Sequence, residues 1–241
     1  MDKNLPEKLR NLLVIDIETA SQFASFKELP EYLQRLWENK YSFSDKSESV
    51  EDYYFNRAGI FAEFGKVIVI GIGFFYKNEN QELGLRVKSI IGSEHQILTE
   101  FKELLVNKFA NKAVNLCAHN GKEFDFPYLC RRFMANGIEL PKCLDISGKK
   151  PWEVSHFDTM ELWKFGDRKN YTSLELLAAV FNLPTSKTDI HGSDVNRVFH
   201  LENDTQRIAK YCAQDIALTA RIFLKMNFIE DVKVENITFI D

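Results

Sequence analysis

The sequence predicts an α/β protein with a mixed central sheet flanked by helices, and three features carry that expectation. Leu12 to Ile17, LLVIDI, is a short unbroken apolar run, the pattern of a strand buried on both faces of a sheet. Lys66 to Tyr76, KVIVIGIGFFY, and Leu83 to Ile91, LGLRVKSII, are β-rich runs around the polar turn KNENQE, which predicts an antiparallel hairpin extending that sheet. From Asp158 onward the apolar spacing is helical. At 241 residues and 28.0 kDa the chain suits one generous domain or two small ones, and a large multidomain machine is excluded. With no repeats, low-complexity tract or linker, one domain is expected, with its core over about 11–228.

Residues 21–58 mix aromatic and charged side chains around the polar stretch SFSDKSESVED, and predict a helical insertion with a flexible loop and a helix near Pro30 to Tyr41. Ser93 to Ala110 carries apolar residues at helical period, with Ser93 and Gln96 placed as a capping box. Ala113 to Ala118 returns as a strand, and Tyr128 to Asn136 predicts a helix stopped at Gly137, with Pro141 beyond. Asp158 with Glu161, and Thr172 with Glu175, fit capping boxes. Asp204 caps a long helix to about Phe228, and VKVENITFI alternates as an edge strand would.

Hydrophobic residues at 45% and charged residues at 27% are enough to build a core and exclude disorder for the bulk of the chain. The formal charge of −4 is far from the basic balance of a passive nucleic-acid binder, yet two divalent cations held among carboxylates would cancel it. Cys117, Cys130, Cys143 and Cys212 form no CxxC pair and have no histidine at zinc spacing, so a reducing cytoplasm is the expected location. The polar N-terminus lacks a targeting h-region, and the longest apolar run is too short to span a bilayer.

Three weak signals carry chemistry. Asp16 and Glu18 end the first strand two residues apart and so share a face; paired carboxylates call for a counter-cation, although a solvated strand end would look the same. Asp125, in HNGKEFDFPYL, stands where a helix opens, a position that capping and the macrodipole also explain. His119 and Asn120 before it have the residue types of a turn. Tyr211 and Asp215 lie four apart on one helix face among apolar residues, and a carboxylate there needs a partner or a metal; the tyrosine itself could serve as that partner.

Taken in order, DxE, FDxPxL and YxxxD make a specific set, and here the sequence resembles the DEDDy group of 3′–5′ exonucleases. It is most similar to the proofreading exonuclease domain of family B DNA polymerases in its stand-alone bacterial form. The segments IDIET, AHNGKEFDFPYL, SLELLAAVFNLP and YCAQDIALTARIF carry the likeness over about residues 11–228. The sister group has a histidine five positions before the last aspartate, where this chain has Lys210. The acidic and aromatic insertion Ser42 to Phe55 departs from the pattern and receives no role.

The resemblance implies a ribonuclease H-like fold and a metal-dependent exonuclease shortening single-stranded DNA from its 3′ end, with release of nucleoside monophosphates. Asp16, Glu18, Asp125 and Asp215 would be the ligands of two Mg²⁺ or Mn²⁺ ions, Asp16 bridging them, with Tyr211 orienting water. All-oxygen donors suit hard cations, and no thiolate is expected in the site. Thr19, Asn120 and Phe124 are the candidate substrate contacts, with core packing the competing role for Phe124. Arg131 and Arg132 read as a solvated helix face, and His156, Asp158 and His191 to Asp194 as caps and loops. The expected partner is a single-stranded nucleic-acid 3′ end, DNA favoured over RNA, with no membrane; a polymerase or repair partner stays open. The rival readings are an exoribonuclease and a non-catalytic single-strand-binding module.

Overall fold

A computed structural model describes residues 5–44, 46–109, 114–167, 171–184 and 189–240. Its centre is a six-stranded mixed sheet of β1 (Leu12–Ser21), β2 (Gly65–Lys77), β3 (Leu83–Ile91), β4 (Asn115–Ala118), β5 (Phe157–Asp158) and β6 (Ile237–Ile240). The strand order is β5-β4-β1-β2-β3-β6. Strands β2 and β3 form the expected antiparallel hairpin, β1 runs antiparallel to β2, and β4, β5 and β6 join in parallel. The helices are α1 (Glu7–Arg10), α2 (Glu31–Tyr41), α3 (Val50–Arg57), α4 (Glu94–Phe109), α5 (Asp125–Ala135), α6 (Thr159–Lys164), α7 (Leu174–Val180), α8 (Val195–Arg197) and α9 (Thr205–Met226).

Because successive side chains of β1 face opposite ways, the strand feeds two cores. Leu13, Ile15 and Ile17 pack with α4 and α5 through Phe101, Phe126 and Phe133. Leu12 and Val14 pack on the other face against Ala213, Ile216 and Phe223 of α9. Asp16 and Glu18 continue that second face, which aims both carboxylates at α9. The helix comes close to the sheet because β2 carries Gly71 and Gly73 beneath it. A Cβ on Gly71 would meet Cys212 Sγ at 2.6 Å, and one on Gly73 would meet Ile216 Cγ2 at 2.6 Å.

Several expectations shift at their edges. Helix α5 begins at Asp125, three residues before Tyr128, because Pro127 sits in a first turn where its missing N–H costs nothing. The α7 cap is Ser173, which accepts from Leu176 N–H, whereas Thr172 is buried. Ala110, the last residue of the expected 93–110 helix, and Ala113, the first of the expected strand, lie outside the described residues. Arg131 is exposed, but Arg132 is not on a solvated face: it is buried and donates through Nε and Nη2 to Glu94 at 2.8 and 2.6 Å.

The insertion folds as helices α2 and α3 around a buried Trp37, with the rings of Tyr53, Tyr54, Phe61 and Phe64 within 6 Å. Asn196 ties this unit to the sheet, accepting from Ser21 N–H at 2.8 Å and donating to Phe55 O at 2.7 Å. Among the described residues, no helix is long and apolar enough to cross a membrane.

Candidate active site

The strand end, the start of α5 and the middle of α9 meet at one place. Asp125 Oδ1 accepts the Ile17 backbone N–H at 3.0 Å, so the α5 carboxylate is stitched to β1 between Asp16 and Glu18. From α9, the Cys212 thiol reaches Asp16 Oδ2 at 3.3 Å, and Tyr211 donates its hydroxyl to Asp215 one turn on. The four carboxylates lie within electrostatic reach of one another. Burial, then the charges of Asp125 and Asp215, push Asp16 well above the usual carboxylate range. Burial, then Asp16, Asp215 and Asp125, do the same to Glu18.

Asp125 is pushed up to about 7 by burial, against which the Ile17 N–H and its own N–H pull down. Burial pushes Asp215 up to about 6, with the Tyr211 hydroxyl opposing. Among the described residues, no lysine or arginine forms an ion pair with any of the four. Four clustered acids without a basic partner are a donor set that a hard divalent cation fits. Tyr211 is held protonated by burial and by the Asp215 charge, so its hydroxyl acts as a neutral donor and acceptor.

Asp16, Glu18, Asp125, Tyr211 and Asp215 are therefore brought together, although they come from three segments far apart in the chain. A cysteine that the sequence reading did not single out also stands at this site. Asp16, Glu18 and Cys212 place one donor atom each within 4.8 Å of one another. Burial and the Asp16 carboxylate hold the Cys212 thiol far above its ordinary range, so it serves as an S–H donor to Asp16 and not as a thiolate. The i, i+3 spacing to Asp215 puts Cys212 on the same helix face, but its contact with Asp16, 196 residues away, is set by the packing of α9 on the sheet.

Of the expected substrate contacts, Thr19 is half-buried just past a register shift in β1, and its hydroxyl is turned inward to Tyr128. Asn120 takes a left-handed backbone, φ 63°, and its buried Oδ1 has no hydrogen-bond partner. Phe124 is half-buried and packs on the core, its ring 5.3 Å from Tyr128. His156 bridges Leu116 N–H and Cys143 O, and His191 with Asp194 forms a capping box. Asp158 caps α6 by accepting from Met160 and Glu161 N–H.

This sheet, with an acidic cluster and a tyrosine-bearing helix at its centre, defines a ribonuclease H-like nuclease fold. Residues 61–238 match the family described as "predicted 3′-5′ exonuclease related to the exonuclease domain of PolB", and the chain belongs to that family. The match takes in Asp125, Tyr211 and Asp215, while Asp16 and Glu18 precede it. DNA polymerase 1 of Pyrococcus abyssi is 24% identical over 177 residues, covering 65% of this chain and 22% of the polymerase. The DNA polymerase of Pyrococcus horikoshii is 24% identical over 176 residues, 65% of this chain and 14% of that protein. The chain thus spans about a fifth or less of the curated polymerases it matches. The family B DNA polymerase structure from Pyrobaculum calidifontis superposes with a TM-score of 0.56 at 13% identity, over 90% of this chain and 24% of that one.

Proposed function

We propose that the chain hydrolyses phosphodiester bonds from the 3′ end of single-stranded DNA, releasing nucleoside monophosphates, with two Mg²⁺ or Mn²⁺ ions held by Asp16, Glu18, Asp125 and Asp215. The observation that carries this reading is the meeting of four mutually repelling carboxylates beside the Tyr211–Asp215 hydrogen bond. Asp16 feels the charges of both Asp125 and Asp215 and would be the ligand shared by the two ions, with Glu18, Asp215 and Asp125 completing the donor set. When bound, such a pair of cations supplies charge neutralisation at the phosphate and a stabilised leaving oxygen.

The protein's own groups do the positioning. Tyr211 donates its hydroxyl hydrogen bond to Asp215 while staying protonated, which leaves its oxygen lone pairs free to accept from a water and aim that water's oxygen at phosphorus. Attack forms a new P–O bond, breaks the bond to the 3′ oxygen of the preceding nucleotide, and leaves that oxygen protonated as a new 3′ end. The Ile17 N–H holds Asp125 in place, and the Cys212 thiol holds Asp16. Asn120, five residues before Asp125 and with an unpartnered side-chain acceptor, is a contact for the terminal nucleotides, and Phe124 and the Thr19 backbone are the further candidates.

The test is a 5′-labelled single-stranded DNA oligomer incubated with Mg²⁺, with Mn²⁺ and with chelator. A ladder shortening from the 3′ end is expected with either metal and none with chelator. Asp16→Ala and Asp215→Ala should each cut the rate about a thousandfold, the equivalent of several kcal/mol of lost charge stabilisation. Degradation of a matched RNA oligomer alone would move the substrate to RNA. A blank with both polymers would overturn the catalytic reading in favour of a strand-binding module.

A further inference from the structure

Asp158 makes more bonds than a helix cap uses. It is 3% exposed and ends β5 beside Ala118 of β4. Its Oδ1 accepts from Met160 N–H at 2.9 Å and Glu161 N–H at 3.2 Å, which completes the start of α6. The same carboxylate then reaches back nearly forty residues. Oδ1 accepts Asn120 N–H at 2.9 Å and Oδ2 accepts Lys122 N–H at 3.0 Å. An N-cap serine would satisfy the helix; the second pair of bonds serves only the turn between β4 and α5.

That turn is fastened on every other side as well. His119 sits between the Thr159 hydroxyl at 2.9 Å and Thr172 O at 3.0 Å. A Cβ on Gly121 would meet Ala118 Cβ at 2.4 Å, so the chain lies flat on the strand end. Asn120 O accepts Glu123 and Phe124 N–H, and Gly121 O accepts Phe126 N–H, which carries the turn's position into α5 and Asp125. The left-handed backbone at Asn120 is one that few non-glycine residues adopt without support, and the Asp158 bond to its N–H is such support. What this arrangement leaves over is the buried and unpartnered Asn120 Oδ1.

We propose that Asp158 is a positioning residue of the exonuclease site: by gripping the turn at Asn120 and Lys122 it sets how Asn120 meets the nucleic-acid strand. This rests on the reading that Asn120 contacts substrate. It assigns Asp158 no contact with the strand.

Asp158→Ser tests it, because serine still caps α6 but is too short to hold the turn. Affinity is read by anisotropy on the labelled oligomer, DNA or RNA, that the protein degrades, with Ca²⁺ replacing the activating metal; KM and kcat are read with Mg²⁺. Asp158→Ser and Asn120→Ala should each weaken binding and raise KM about tenfold, as expected for the loss of one hydrogen bond accepted from a hydroxyl or base N–H of the strand. In both variants kcat should stay within about twofold, and the double variant should bind no worse than Asn120→Ala alone. Wild-type affinity in Asp158→Ser beside a weakened Asn120→Ala overturns the positioning role only. Wild-type affinity in Asn120→Ala overturns the substrate contact as well. Multiplying effects in the double variant, or a lower kcat and melting temperature at unchanged KM, would reduce Asp158 to a cap. Should the serine variant not fold, Asp158→Asn carries the same comparison: it keeps the Oδ1 bonds and sets an amino group against Lys122 N–H.

Discussion

Gly71 shows how much of the site depends on a missing side chain. It is the β2 partner of Asp16, and the space above it holds Cys212 Sγ and Ile216 Cγ1, which a Cβ would approach to 2.6 and 2.8 Å. Gly71→Ala should therefore push α9 off the sheet, costing about 1–3 kcal/mol in urea unfolding, as overpacking does. Nuclease activity should fall further than stability alone explains, because the thiol that steadies Asp16 moves too. A variant with wild-type unfolding and activity would show the contact to be slack. At this scale the five motif residues were legible as an ordered set resembling a known family, with same-face spacing pairing Asp16 with Glu18 and Tyr211 with Asp215 and leaving Asp125 open to a capping role. Cys212 and Gly71 were not, because their importance lies in a contact between β2 and α9 that no spacing along the chain encodes.

Helices α4 and α5 are locked together by one buried ion pair. Arg132 donates to both oxygens of Glu94 and, through Nη1, to Ala62 O at 2.7 Å, while Glu94 also accepts Val67 N–H at 2.8 Å. The pair thus joins α4, α5, β2 and, through Ala62, the segment leading from the insertion into β2. Removing one partner strands a buried charge, so Arg132→Ala should lose about 3–5 kcal/mol in chemical denaturation. Glu94→Met with Arg132→Met should cost less than the two single changes summed, and an additive result would argue against coupling. The long helices were readable because their apolar period and caps are local: Asp204 accepts from Arg207 N–H as its position implied. The two-residue β5 was not, since so short a strand has no period of its own and forms only because β4 is there to pair with it.

Across the whole molecule, the cluster of acids couples folding to protons and metal. Asp125 is raised from an ordinary 3.8 to about 7 and Asp215 to about 6. Between pH 4 and 7 the metal-free folded state accordingly holds protons that the unfolded chain has released, and stability falls as pH rises through that window. Melting in chelator should show a temperature that drops from pH 5 to pH 7. Mn²⁺ should reverse the trend, adding about 2.7 kcal/mol at a hundred times its dissociation constant, with a larger gain at pH 7.5 than at 5.5. A melting temperature flat with pH and blind to Mn²⁺ would refute a charged, metal-binding cluster. The sequence by itself determined the α/β class, the hairpin and the long helices, because apolar period and caps are properties of neighbouring residues, and the order of its three acidic motifs, through the family they resemble, named the five clustered residues. Only the tertiary structure decided that β1, α5 and α9 converge, that Cys212 donates to Asp16, that Arg132 is buried and that Asp158 grips the turn at Asn120. Each of these rests on hydrogen bonds or packing between segments far apart in the chain, and such contacts exist only once the sheet has brought those segments together.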